Sequence, residues 1–146
     1  MDFDADRYSE IRVLVVDDEP IMLETLKRLV DKIGFPVDAA ASGYEAIEMF
    51  RQNNYLIVVS DIVMSEMDGI ELLTKVKELS PPTRVIMMTG YMKMENILKC
   101  LRRGADSCVI KESKGFIDKM EKALHRAAEM IQEWRDLLVD LNKMRM

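Results

Sequence analysis

Cysteine and histidine are nearly missing from this chain: it has only Cys100, Cys108 and His125. No CxxC pair and no zinc-ligand spacing can be made from them, which excludes a zinc cluster or a disulfide framework. The two thiols read as free, and a reducing, cytoplasmic setting is expected. No staple is needed either, because a chain of 146 residues can bury roughly 68 to 70% of the surface it exposes when unfolded. Long apolar runs are lacking too. None reaches the roughly 18 residues that cross a bilayer, and the start, Met1-Asp2-Phe3-Asp4-Ala5-Asp6, is acidic where a secretory signal would be basic. Neither export nor a membrane role is expected. There is also no basic excess, the formal net charge being -5. This argues against direct nucleic-acid binding, since phosphate neutralisation needs clustered Lys and Arg.

What is present is a regular alternation of apolar patterns. Ile11 to Val16 is a nearly continuous β-branched run, as in a strand buried on both faces of a parallel sheet. Pro20 suits the first turn of a helix, along which Met22, Leu26, Leu29 and Ile33 recur at spacings of four and three up to a stop at Gly34. Strands follow at Pro36 to Ala40, Leu56 to Ser60, Arg84 to Met88 and Cys108 to Ile110. Helices lie between them. Ser42 and Glu45 have the capping-box spacing before Ala46, Ile47 and Phe50, Ile70 to Leu79 is a third helix, and Ile97, Leu98 and Leu101 mark a fourth that closes at Gly104. Strands alternating with helices imply right-handed crossovers and a three-layer α/β/α architecture. For five parallel strands the flavodoxin-like order 2-1-3-4-5 is the natural choice.

Such folds bind ligands beyond the carboxyl ends of their strands, at the point where the strand order reverses. Those ends carry Asp17 and Asp18 on strand 1, Asp61 on strand 3, Thr89 on strand 4 and Lys111 on strand 5. Any one of these could be an ordinary cap or surface charge. Together they place three carboxylates, a hydroxyl and an ammonium on one edge. Like charges about 4 Å apart repel by roughly 4 kcal/mol at an effective dielectric of 20, so the carboxylates call for a cation. Oxygen-only ligands favour a hard ion, and Mg²⁺ is the usual choice where few carboxylates share it with phosphate oxygens. An Asp beside Mg²⁺ and Lys is placed to attack a phosphoryl group.

On these residues the chain resembles the receiver domain of two-component response regulators. The matching stretches are Val15-Val16-Asp17-Asp18-Glu19-Pro20, Ser42-Gly43-Tyr44-Glu45-Ala46, Asp61-Ile62-Val63-Met64 with Met67-Asp68-Gly69, Met88-Thr89-Gly90-Tyr91, and Gly104-Ala105-Asp106 before Lys111. The resemblance implies that Asp61 is the phosphoacceptor and that Asp17, Asp18, Asp61 and the Val63 carbonyl hold Mg²⁺. It also implies that Thr89 and Lys111 bind the phosphoryl group, and that a sensor histidine kinase or phosphotransfer protein donates it. Such a domain is a phosphorylation-controlled switch and no enzyme beyond its own phosphorylation and dephosphorylation.

Three positions depart from the family pattern. Ser65 replaces a proline, which predicts a looser loop. Glu112 replaces the proline after the lysine, which predicts a differently aimed Lys111 or retained backbone strain. Cys108 replaces the usual aromatic switch residue, leaving Thr89, loop movement or a side chain such as Tyr91 to signal. Two rival readings follow. In one, Cys108 and Glu112 mark a degenerate receiver that works unphosphorylated as a scaffold. In the other, Asp61 is the transient nucleophile of a metal-dependent phosphohydrolase, against which Val63 leaves no general acid two residues on.

The last helical pattern, from Lys114 to Met146, outruns the domain. Met120, Leu124, Ala127, Ile131, Trp134, Leu138 and Leu141 alternate steps of four and three, a heptad seam. The division expected is a tail over 1–10, a receiver over 11–126 and an extension over 127–146 that pairs two protomers in a homodimer, the alternatives being that it docks on another protein or bends back onto its own domain. No helix stop precedes Met146, so a longer natural chain is compatible with the pattern.

Overall fold

In the computed structural model, which describes residues 6–90 and 93–145, the strands β1 (Val13–Val16), β2 (Val37–Ala40), β3 (Ile57–Asp61), β4 (Arg84–Thr89) and β5 (Ser107–Ile110) alternate with helices. The helices are α1 (Pro20–Ile33), α2 (Gly43–Gln52), α3 (Gly69–Leu79), α4 (Met94–Arg102) and α5 (Phe116–Met144). The sheet is parallel throughout, in the order β2-β1-β3-β4-β5. The two-residue side-chain period divides the core. Val13, Val15, Ile57, Val59, Ile86 and Met88 face α1 and α5, whereas Leu14, Val16, Val58, Val85 and Met87 face α2, α3 and α4. With both faces covered, the central strands have no polar face to show.

Local chemistry sets the element ends. Pro20 opens α1 and Gly34, at φ 116°, ends it by donating its amide to the Asp31 and Val30 carbonyls. Ser42 Oγ accepts the Glu45 amide at 3.1 Å, and Asp68 Oδ1 does the same for Glu71 at 2.9 Å. Replacing Ser42 with Ala removes one such cap. It is expected to lower stability by about 1 kcal/mol, read as a thermal midpoint about 2 to 4 °C lower.

Two boundaries differ from the sequence expectation. Residues 6–10 are no loose tail, because Tyr8 is 2% exposed. Its ring stacks on Phe35 with centroids 4.4 Å apart, and its hydroxyl lies 2.7 Å from His125 Nδ1 on α5. The second change concerns α5. Met120, Leu124, Ala127 and Ile131, assigned from sequence to a partner helix, are buried in the chain's own core together with Phe116, Ala123 and Ala128. A heptad seam and a core-facing stripe share the same spacing, and the sheet claims the first half. Beyond Ile131 the stripe opens to solvent, at Trp134, Leu137, Leu138, Leu141 and Met144. The compact unit therefore reaches about five residues past 126. At 1.5 Å per residue, the 29 residues of α5 run about 43 Å.

Candidate functional site

The edge formed by the carboxyl ends of β1, β3, β4 and β5 gathers the residues singled out in the sequence. Asp17 follows β1 and is completely buried, Asp61 ends β3 at 5% exposure, and Thr89 ends β4 at 1%. Lys111, directly after β5, reaches across the edge. Its Nζ lies 2.7 Å from Asp17 Oδ2 and 2.8 Å from Asp61 Oδ2. The backbone holds these ends together, with the Lys111 amide donating to the Thr89 carbonyl and the Ile62 amide to the Met88 carbonyl, each at 2.8 Å. All described peptide bonds are trans. With Glu112 beside it, Lys111 is aimed at the two carboxylates.

Each carboxylate is held differently. Asp17 Oδ1 accepts the Glu19 amide at 2.8 Å and so shapes the turn into α1. Its Oδ2 has no well-aligned hydrogen bond among the described residues, only the charge contact with Lys111. Asp61 Oδ1 accepts the Val63 amide at 3.3 Å. Asp18 is exposed, and its Oδ2 accepts from the Ser65 amide at 2.9 Å and the Ser65 hydroxyl at 3.2 Å. The substitution expected to loosen the loop after β3 instead ties that loop to β1. Gly69 completes the floor, its amide donating to the Ile62 carbonyl at 2.8 Å.

Burial pushes the Asp61 carboxyl above its usual range. The hydrogen bond and charge of Lys111 pull it back, the Asp17 charge raises it again, and the Val63 amide lowers it slightly. For Lys111, burial works against the charge, but its contacts with Asp17 and Asp61 prevail and hold the ammonium above the ordinary lysine range. Around one ammonium, then, three carboxylates have ligand atoms within 4.8 Å of one another. The all-oxygen donor set fits a hard divalent ion.

Above this floor opens a cavity of about 550 Å³ whose lining includes Asp61, Val63, Gly90, Lys93, Lys111 and Glu112. Lys93 was not foreseen, since a lysine before a helix gives no periodic signal. Val63 is 59% exposed at the rim. Cys108 is half-buried, and burial raises its thiol above the usual range. Tyr91 lies outside the described residues.

A doubly wound sheet with an acidic pocket and a lysine at its switch point defines a class of small α/β domain able to hold a divalent cation beside a phosphoryl group. Comparison with known proteins narrows the class. Residues 13–125 match the family model of the response regulator receiver domain, and the chain belongs to that family. It is 34% identical over 120 residues to the transcriptional regulatory protein ZraR of Escherichia coli, covering 82% of this chain and 27% of that protein. A CheY-like receiver domain protein from Methanospirillum hungatei superposes with a TM-score of 0.77 at 32% identity, covering 86% of this chain and 99% of that one. TrrA from Thermotoga maritima, solved in complex with Mg²⁺ and BeF, gives 0.71 at 30% identity, covering 80% and 98%. The chain thus spans about a quarter of the length of ZraR, and the shared part is the receiver. No helix among the described residues is long and apolar enough to cross a membrane.

Proposed function

We propose that Asp61 accepts a phosphoryl group from a phosphohistidine of a sensor kinase or phosphotransfer protein, and that the chain relays this event by a conformational switch. The observation that carries the reading is the bridging of Asp17 and Asp61 by Lys111 at 2.7 and 2.8 Å, with Asp18 alongside. Asp17, Asp18, Asp61 and the Val63 carbonyl would hold Mg²⁺, which supplies charge neutralisation at the phosphoryl oxygens. That TrrA, a similar receiver, was solved in complex with Mg²⁺ and BeF supports Mg²⁺ as the ion.

A carboxylate oxygen of Asp61 attacks phosphorus, the P–N bond of the donor breaks, and the imidazole leaves with the bonding pair and takes up a proton. Lys111 already faces the nucleophile, so its ammonium meets the charge that grows on the phosphoryl oxygens without rearrangement. Thr89, on the strand beside Asp61, offers its hydroxyl to the attached group. Phosphorylation adds about -1.5 to -2 charge to a pocket whose resident cation is Lys111, and the loops after β3 and β4 shift to accommodate it. The aspartyl adduct in intact-mass spectra, described in the Discussion, tests this reading against the scaffold and phosphohydrolase alternatives.

The second part of the proposal concerns partners. The exposed stripe of Trp134, Leu137, Leu138, Leu141 and Met144 on α5 is a contiguous apolar patch of the kind that marks protein–protein contact, and a second copy of the chain would cover it. Sedimentation should show a dimer that dissociates when Leu138 and Leu141 are both changed to Glu, positions whose exposure leaves the fold intact. A wild-type chain that sediments as a monomer at high concentration rules the pairing out.

A further inference from the structure

We propose that Ser65 is a positioning residue of the metal site, one that holds Asp18 in ligating orientation and couples the loop after β1 to the loop after β3. This rests on the reading that Asp17, Asp18 and Asp61 together bind a divalent cation. Two of those carboxylates need no help. Asp17 is completely buried and Asp61 is 5% exposed, and both are fixed by Lys111 and by backbone amides at Glu19 and Val63. Asp18 is the exposed member of the three. Its carboxylate would rotate freely in water if nothing reached it.

Ser65 reaches it from 47 residues along the chain, with the amide at 2.9 Å and the hydroxyl at 3.2 Å. Both bonds fall on Oδ2, which leaves the lone pairs of Oδ1 clear of Ser65. Val63, whose carbonyl is the fourth proposed ligand, is two residues before Ser65 on the same loop. Fastening Ser65 to Asp18 therefore sets the spacing between two ligands that come from different strands. Hydrogen-bond partners that orient a metal-ligating carboxylate typically matter tenfold or more to affinity. Proline, the residue the family pattern has here, offers neither donor, so this chain builds its cradle with a pair of bonds that the usual residue cannot make.

Mg²⁺ titration by calorimetry of the wild type, Ser65→Pro, Ser65→Ala and Ser65→Thr tests the assignment. Ser65→Pro removes both donors and should weaken Mg²⁺ binding about tenfold. Ser65→Ala keeps the amide and should lose about threefold, one modest hydrogen bond. Ser65→Thr keeps both and should bind as the wild type does, with thermal midpoints of the metal-free variants unchanged. If Ser65→Pro does not fold, the Ala and Thr pair decides alone. Variants that bind Mg²⁺ as tightly as a binding wild type overturn the role of Ser65 and leave the metal site standing. A wild type that binds no Mg²⁺ overturns the metal site and this inference with it.

Discussion

Asp61→Asn is expected to abolish phosphorylation: the wild type, incubated with Mg²⁺ and a small acyl phosphate, should gain one phosphoryl group of about 80 Da in intact-mass spectra, and the variant should gain nothing. The substitution keeps the shape of the side chain and removes its charge. An amide oxygen is a poor nucleophile, and the neutral group also ends the attraction that holds Lys111 at 2.8 Å. Asp17 remains paired with Lys111 at 2.7 Å, so the fold around the pocket persists and loss of the adduct reports chemistry. Chelating the divalent ion should suppress the wild-type adduct as well, because the carboxylates then repel the incoming phosphoryl oxygens. An adduct that survives Asp61→Asn would place phosphorylation elsewhere. A wild type that never acquires one would favour the unphosphorylated scaffold, and turnover of a generic phosphate ester would favour the phosphohydrolase.

The second large effect is expected at Gly69, for a steric reason. A Cβ added there would lie 1.9 Å from the Asp61 carbonyl oxygen and 2.8 Å from both the Asp61 carbonyl carbon and Ile62 Cα. Every one of these is a backbone atom, and none can swing aside as a side-chain tip can. Gly69→Ala must therefore push the start of α3 away from the end of β3, breaking the 2.8 Å bond from its amide to the Ile62 carbonyl. Overpacking of this kind costs about 3 kcal/mol, which for a chain of this length lowers the thermal midpoint by about 10 °C. Because the displaced strand end carries Asp61, phosphorylation should slow along with the loss of stability. Gly90→Ala is the control. Its nearest neighbour, Glu112 Oε1, would be 3.9 Å from the new Cβ, an ordinary contact, so its midpoint should match the wild type. Equal midpoints for both variants would show that the close approach at Gly69 is not real.

The fold and most of the acidic pocket could be read from residue order. β1 is a buried run of Val and Leu, Pro20 and Gly34 bracket α1, and Ser42 caps α2, all local effects that the chain carries wherever it goes. Once parallel strands are inferred, the residues after their last apolar positions must share one edge. Asp17, Asp61, Thr89 and Lys111 were found in that way, with no knowledge of distances.

Positions governed by contacts between distant segments were not legible in the same way. Ser65 departs from the family pattern and so suggested a loose loop, but its donors meet Asp18, 47 residues away. Tyr8 sits in an acidic, irregular stretch without periodicity, yet it is buried because Phe35 and His125 offer a stacking face and a ring nitrogen.

The residue pattern of this chain determined its element order, its strand topology and the identity of the pocket residues, because periodicity and capping act within a few residues of one another. Tertiary structure alone decided how α5 is divided. Met120, Leu124, Ala127 and Ile131 have the same spacing as Trp134, Leu138 and Leu141, and only the reach of the sheet separates buried from exposed. A spacing specifies a face of a helix, but what lies against that face depends on where the rest of the molecule ends.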